Sequence, residues 1–155
     1  MMNKGPMIEP YRFSTELRVR FNETDAQGHV NFAWYLNYFD IALIEYLKTL
    51  GYAYAQMLAD GVDMLYIDAH AAYRAPAYFD DLLRIHCRIG KIGSTSIRFD
   101  FQIFNPAAGR LVATGEITVV FARRDTYDKL RVPDVIRQAV AAYEGVAQDA
   151  EAGGR

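Results

Sequence analysis

Apolar and polar positions alternate along much of this chain, and one long stretch breaks that rhythm. In ELRVRFN, Leu17, Val19 and Phe21 fall on one side and Arg18, Arg20 and Asn22 on the other, which predicts a strand with one wet face. From Phe32 to Leu50 the sequence reads FAWYLNYFDIALIEYLKTL, a helix closed by Gly51, a residue type suited to the position just past a helix end. At 100° per residue, Asn37, Asp40, Glu45 and Lys48 of that helix lie within an arc of roughly 140°. The rest of its circumference is apolar, so something must wrap it on most sides. A second short helix is predicted over about Ala53–Asp60, ending at Gly61.

Beyond it the period returns to two. VDMLYIDAHAAYRA predicts a strand interrupted near Pro76, a residue that belongs at a sheet edge or a bend. In LLRIHCRI the apolar set is Leu83, Ile85, Cys87 and Ile89, with Arg84, His86 and Arg88 opposite; in SIRFDFQIF it is Ile97, Phe99, Phe101 and Ile103. The turn NPAAGR joins the latter strand to LVATGEITVVFARR as a hairpin, and Pro133 opens a last helix to about Tyr143. One strand, a buried helix and then a run of antiparallel strands predict an α+β domain whose sheet curls around the helix. Val112, Val120 and Phe104 would point away from the helix, which suggests pairing of subunits by sheet face or sheet edge. The expected organisation is a flexible arm over 1–14, one domain over 15–145 and a loose tail over 146–155.

Composition narrows the class. The 155 residues suit one domain with a real core, and at 52% hydrophobic and 14% aromatic the chain reads as globular. A net charge of −2 gives no argument for nucleic-acid binding. The single Cys87 excludes an intramolecular disulfide and a cysteine-based zinc site, and three scattered His offer no metal-ligand spacing. The opening MMNKGPMIEPYRF lacks the apolar core of a secretory leader, and no apolar run reaches the roughly 18 residues of a membrane span. The expectation is a cytoplasmic protein without membrane or nucleic-acid partners.

The segment NETDAQGHVNFAWYL, between the first strand and the long helix, holds more polar groups than a connection needs. Read for structure alone, Asp25 is a loop acid or helix cap worth about 1 kcal/mol, Gly28 permits a positive φ, and Asn31 is a cap. With this loop, the order strand, D-x-x-G-[HIV]-V, long apolar helix, YRAPAYFDDL and GKIGSTS resembles the hotdog-fold acyl-CoA thioesterases, in particular the hydroxybenzoyl-CoA thioesterase branch. The resemblance spans about Glu16–Arg123 and is most specific in TDAQGHVNFAWYLNYFD. It implies an antiparallel sheet around one helix, assembled as a homodimer or homotetramer. The activity it implies is hydrolysis of an acyl-CoA to a carboxylic acid and free CoA, with no metal and no cofactor beyond the CoA of the substrate.

The resemblance also implies roles. The acid at Asp25 would attack the thioester carbonyl or activate water. The backbone N–H of Phe32 or of its neighbour, at the expected helix start, would hold the developing oxyanion, since a helix's first N–H groups lack partners. His29 would polarise water or the carbonyl, and Asn31 would orient the acid. The chain departs from relatives at two of these places. Gln27 stands where plant acyl-carrier-protein thioesterases have Asn, and the hydroxybenzoyl-CoA branch lacks a His at position 29. Trp34 and Tyr35 are expected to pack against the sheet or line the acyl cleft, and Glu45 to face solvent. Lys91, Ser94, Thr95 and Ser96 of GKIGSTS are candidates for the CoA phosphates, with Arg88, Arg123 and Arg124 as substitutes; Arg74 would reach the site from a partner subunit or pair with Asp80 or Asp81. Two other functions stay open: a hotdog hydratase or dehydratase, in which His29 supplies acid/base chemistry, and a non-catalytic acyl-thioester binding protein.

Overall fold

A helix with so little polar surface is buried only if the sheet bends round it, and the fold is built on that arrangement. The computed structural model describes residues 10–145; the outermost parts of the expected arm and tail, 1–9 and 146–155, lie outside the described residues. Strands β1 (Phe13–Arg18), β2 (Val62–Tyr73), β3 (Leu82–Ile92), β4 (Ser96–Asn105) and β5 (Arg110–Arg123) form one antiparallel sheet in the order β1-β3-β4-β5-β2. Helix α1 (Trp34–Thr49) lies in its concave face, followed by short α2 (Tyr54–Ala59), and α3 (Asp134–Glu144) closes the chain. This is the α+β hotdog arrangement that the sequence predicts. β1 begins at Phe13.

The apolar sets expected on β3 and β4 are all buried, and they meet Tyr38, Phe39, Ala42, Leu43, Tyr46 and Leu47 of α1. Phe39 stacks on Phe101 with ring centroids 4.7 Å apart. It reaches so far into the sheet that a Cβ on Gly115 would sit 2.3 Å from its ring and 2.6 Å from the His70 carbonyl oxygen. Gly115 therefore sets how closely helix and sheet approach. Gly51 ends α1 at φ +89°, as its position predicts.

Three expectations fail for identifiable reasons. β1 stops at Arg18, and Phe21–Glu23 form a 3-10 turn, so Phe21 is 76% exposed while Glu23 turns inward. The alternation runs on in sequence after the ladder has ended. Val112, expected to face outward, is fully buried. The pairing jumps from Ile103↔Ala113 to Phe104↔Leu111, making Val112 the extra residue of a bulge. Its carbonyl accepts from the backbone N–H groups of Arg74 and Ala75, tying the exit of β2 to the sheet. Finally, α1 begins at Trp34 rather than Phe32. Asn31 Oδ1 accepts from the Ala33 N–H at 3.0 Å and Asn31 O from the Trp34 N–H at 2.9 Å, and this tight turn delays the α-helical pattern.

The convex face carries the polar alternates. Asp100 is gripped by Arg98 at 2.8 Å and Arg88 at 3.4 Å. His86, expected on this wet face, is only 6% exposed, packs its ring on Tyr11 at 5.8 Å, and has no hydrogen-bond partner for either ring nitrogen among the described residues. Burial, and secondarily the Arg84 charge, pull its pKa down from 6.5 to about 4.

Gly115→Ala should cost about 1–3 kcal/mol, because the new methyl collides with Phe39 and with backbone; urea unfolding measures it, and an unchanged midpoint would contradict the close approach. The His86 shift sets a second expectation. A base with a lowered folded pKa contributes fully above its unfolded value of 6.5, and that contribution disappears as pH falls toward about 4. The melting temperature of the wild type should therefore fall further than that of His86→Gln as pH drops across this range; parallel curves would refute the shift.

Candidate active site

The loop between the 3-10 turn and α1 is held by backbone bonds at both ends. Asn31 N–H donates to Glu23 O at 2.9 Å, Val30 N–H to Ala77 O at 2.8 Å, and Asp25 N–H to His29 O at 3.1 Å. Gly28, at φ +88°, closes the tight turn by donating to Asp25 O at 2.8 Å, so its left-handed backbone meets the need its sequence position suggests.

This frame aims Asp25. Its Oδ1 accepts from the Gln27 N–H at 2.9 Å, and its Oδ2 accepts from Asn31 Nδ2 at 3.1 Å. Asn31 thus makes both contacts open to it in the sequence: one end of its amide orients the acid while the other supports the helix entrance. The Asp25 carboxylate is half-buried and faces a cleft of about 330 Å³. Gln27, His29, Phe32, Tyr35, Tyr73 and Arg74 also line this cleft, a size and mixture suited to a small acyl group.

Phe32 lines the same cleft. Its side chain is 67% exposed, and its backbone N–H has no acceptor among the described residues. Tyr73, from the end of β2, donates its hydroxyl to Phe32 O at 2.9 Å and so holds the peptide that follows this N–H. His29 also lines the cleft; its ring lies edge-on to Tyr78 at 6.2 Å, with Nδ1 3.4 Å from Val30 O. Tyr35 is buried beneath the cleft, and burial pushes its phenol up to about 12, so it stays protonated and can donate.

Asp25, His29, Asn31 and Phe32 are brought together by one short loop. Lys91, Ser94, Thr95 and Ser96 are elsewhere. β3 begins beside Asp81, near the Asp25 loop, and ends in the turn that carries Ser94, a contour of roughly 35 Å of strand, and none of the four lines the Asp25 cleft. That turn is clamped by α3, whose Arg137 donates to Gly93 O at 2.6 Å. A single chain does not join the two sets. The sequence reading missed Tyr73 altogether and left Arg74 unplaced; the signal available was their shared position in YRAP, just before the strand-breaking Pro76. Among the described residues, no three His, Cys, Asp or Glu gather as metal ligands, and no helix is long and apolar enough to cross a membrane.

Asp25 and Phe32, whose backbone N–H is unpaired among the described residues, line one cleft at the mouth of a helix wrapped by its sheet. The chain belongs to the thioesterase-like superfamily, which it matches over residues 19–140. Among particular relatives, it is 33% identical to the acyl-CoA thioesterase YbgC of Haemophilus influenzae over 113 residues, covering 70% of this chain and 80% of that protein. It is 25% identical to the putative acyl-CoA thioesterase YneP of Bacillus subtilis over 129 residues, 83% of this chain and 93% of that one. A solved gentisyl-coenzyme A thioesterase superposes with a TM-score of 0.76 at 25% identity, over 83% of this chain and 100% of its own. A 1,4-dihydroxy-2-naphthoyl-CoA thioesterase from Synechocystis, at 21% identity and a TM-score of 0.77, shares the fold.

Proposed function

We propose that this protein hydrolyses acyl-CoA thioesters, releasing a carboxylic acid and free CoA. The observation that carries this reading is the Asp25 carboxylate, fixed by Gln27 N–H and Asn31 Nδ2, on the wall of a cleft that Phe32 also lines. The relatives named as acyl-CoA thioesterases support it.

In this mechanism the thioester carbonyl lies between Asp25 and the loop's helix end. Asp25 either adds to the carbonyl carbon or takes a proton from a water that does. As the carbonyl oxygen gains negative charge, the Phe32 N–H donates to it, a contact worth more in the transition state than in the bound substrate. Collapse breaks the carbon–sulfur bond, and the thiolate leaves and takes up a proton. On the covalent route, water then cleaves the Asp25 mixed anhydride and restores the carboxylate. His29 polarises the water or the carbonyl from the same wall.

The CoA end needs a second copy of the chain. β2 is an outer strand of the sheet with Tyr66, Ile67 and Tyr73 exposed along it, a surface suited to pairing in a homodimer. Lys91, Ser94, Thr95 and Ser96 would then meet the nucleotide from the other subunit. A homotetramer follows if such dimers pair again.

Asp25→Asn should lower the rate of thiol release by at least about a hundredfold without altering the melting temperature. Near-normal release, once deamidation back to Asp is excluded by mass spectrometry, would remove Asp25 from the reaction. Single turnover in oxygen-18 water separates the routes, because only the mixed anhydride leaves the label in the protein. Hydration of an enoyl thioester without CoA release would instead establish the His29-based hydratase.

A further inference from the structure

Two residues before Asp25 the chain buries a second acid. Glu23 is 5% exposed and has no cation within ion-pairing distance among the described residues. Its Oε1 accepts from the Tyr38 hydroxyl at 2.7 Å and from the Arg20 N–H at 2.9 Å. Burying a carboxylate without a counter-charge is unfavourable, and a well-packed apolar side chain of similar volume generally serves stability as well or better. Capping the three-residue turn accounts for the bond to Arg20, because an acid three residues into a turn commonly reaches back to its entrance. It does not account for the bond to Tyr38, which belongs to the buried face of α1 and lies 15 residues away.

That second bond joins the two parts of the site. On one side Glu23 leads into Asp25, and its carbonyl accepts from Asn31, whose amide steers the Asp25 carboxylate. On the other side, Tyr38 lies one turn into the helix whose entrance is formed by Phe32 and Ala33. The Oε1 of Glu23 therefore ties the chain segment carrying the acid to the helix whose entrance carries the unpaired N–H. We propose that Glu23 is a positioning residue: through Tyr38 it sets the placement of Asp25 relative to the Phe32 N–H, and so acts on turnover without touching substrate. This rests on the reading of Asp25 as the reacting acid.

The test uses the full chain and thiol release from an acyl-CoA that the wild type cleaves, with thermal unfolding alongside. Glu23→Met, close in volume and unable to accept either bond, should lower kcat about tenfold or more, since small misplacements of reacting groups have large kinetic effects. KM should stay within about threefold and the melting temperature within about 4 °C of wild type. Glu23→Gln keeps an acceptor oxygen and should recover most of the lost rate. Added to Asp25→Asn, Glu23→Met should change the residual rate by less than about twofold, because a residue acting through Asp25 has nothing left to position. If Glu23→Met does not fold, Tyr38→Phe removes the same tie and carries the same expectation of reduced kcat at unchanged KM. A wild-type kcat in the folded variant, a loss that only follows loss of stability, or a full multiplicative loss on the Asp25→Asn background would each overturn the proposal. Asp25→Asn retaining wild-type activity would overturn the mechanism beneath it, whatever Glu23→Met does; a large Asp25→Asn loss with unaffected Glu23→Met would overturn this inference alone.

Discussion

Phe39 pressed onto Phe101 and into the space above Gly115 is the contact on which the rest of the structure depends. A helix with seven of its residues buried cannot shed its apolar surface to one flat sheet face, so the sheet must bend toward it until both sides are covered. Depth of approach then matters more than hydrophobicity as such. A side chain at Gly115 would hold Phe39 off, lift the helix from the sheet and move its entrance. The entrance is where the site lies, so the closeness of packing in mid-helix fixes the geometry of the loop several turns away.

Once the helix is seated, the connection from the 3-10 turn must satisfy its own polar groups without filling the cleft at the helix entrance. It does so by bonding inward: Asn31 to Glu23, Val30 to Ala77, Gly28 to Asp25. The bulge at Val112 adds a brace from below, since its carbonyl anchors the Arg74–Ala75 backbone that forms another wall of the cleft. Each of these bonds is worth little alone in water, yet together they leave the loop few alternative shapes.

Much of this was legible in the sequence because it is written in periods. The two-residue period places Leu83, Ile85, Cys87, Ile89, Ile97, Phe99, Phe101 and Ile103 on the inner face, and all are buried. The nearly unbroken apolar helix implies a wrapping sheet without any appeal to resemblance, and Gly51 and Gly61 mark ends that the backbone confirms with positive φ. What a period cannot reveal is where a ladder stops. Phe21 looks like the third inward residue of β1, but the carboxylate of Glu23 finds two donors inside and the turn rotates Phe21 into solvent. Val112 depends on a bulge that only pairing with β4 creates. Asp25, His29, Asn31 and Phe32 come together in the structure because they are neighbours in sequence. Tyr73 and Arg74 arrive from the far end of β2, and nothing local to YRAP says which loop they will meet.

The two acids of NETD show how burial separates roles that sequence leaves alike. Both are carboxylates held by two donors, but the donors are spent differently. Glu23 places both on one oxygen, inside the protein, where a Tyr hydroxyl and a backbone N–H use its capacity to hold two segments together. Asp25 receives one donor on each oxygen, at the wall of a cleft. Its donors, a backbone N–H and an amide, are neutral like those of Glu23. The Asn31 amide also supports the entrance of α1, so the position of the acid depends on the seating of that helix.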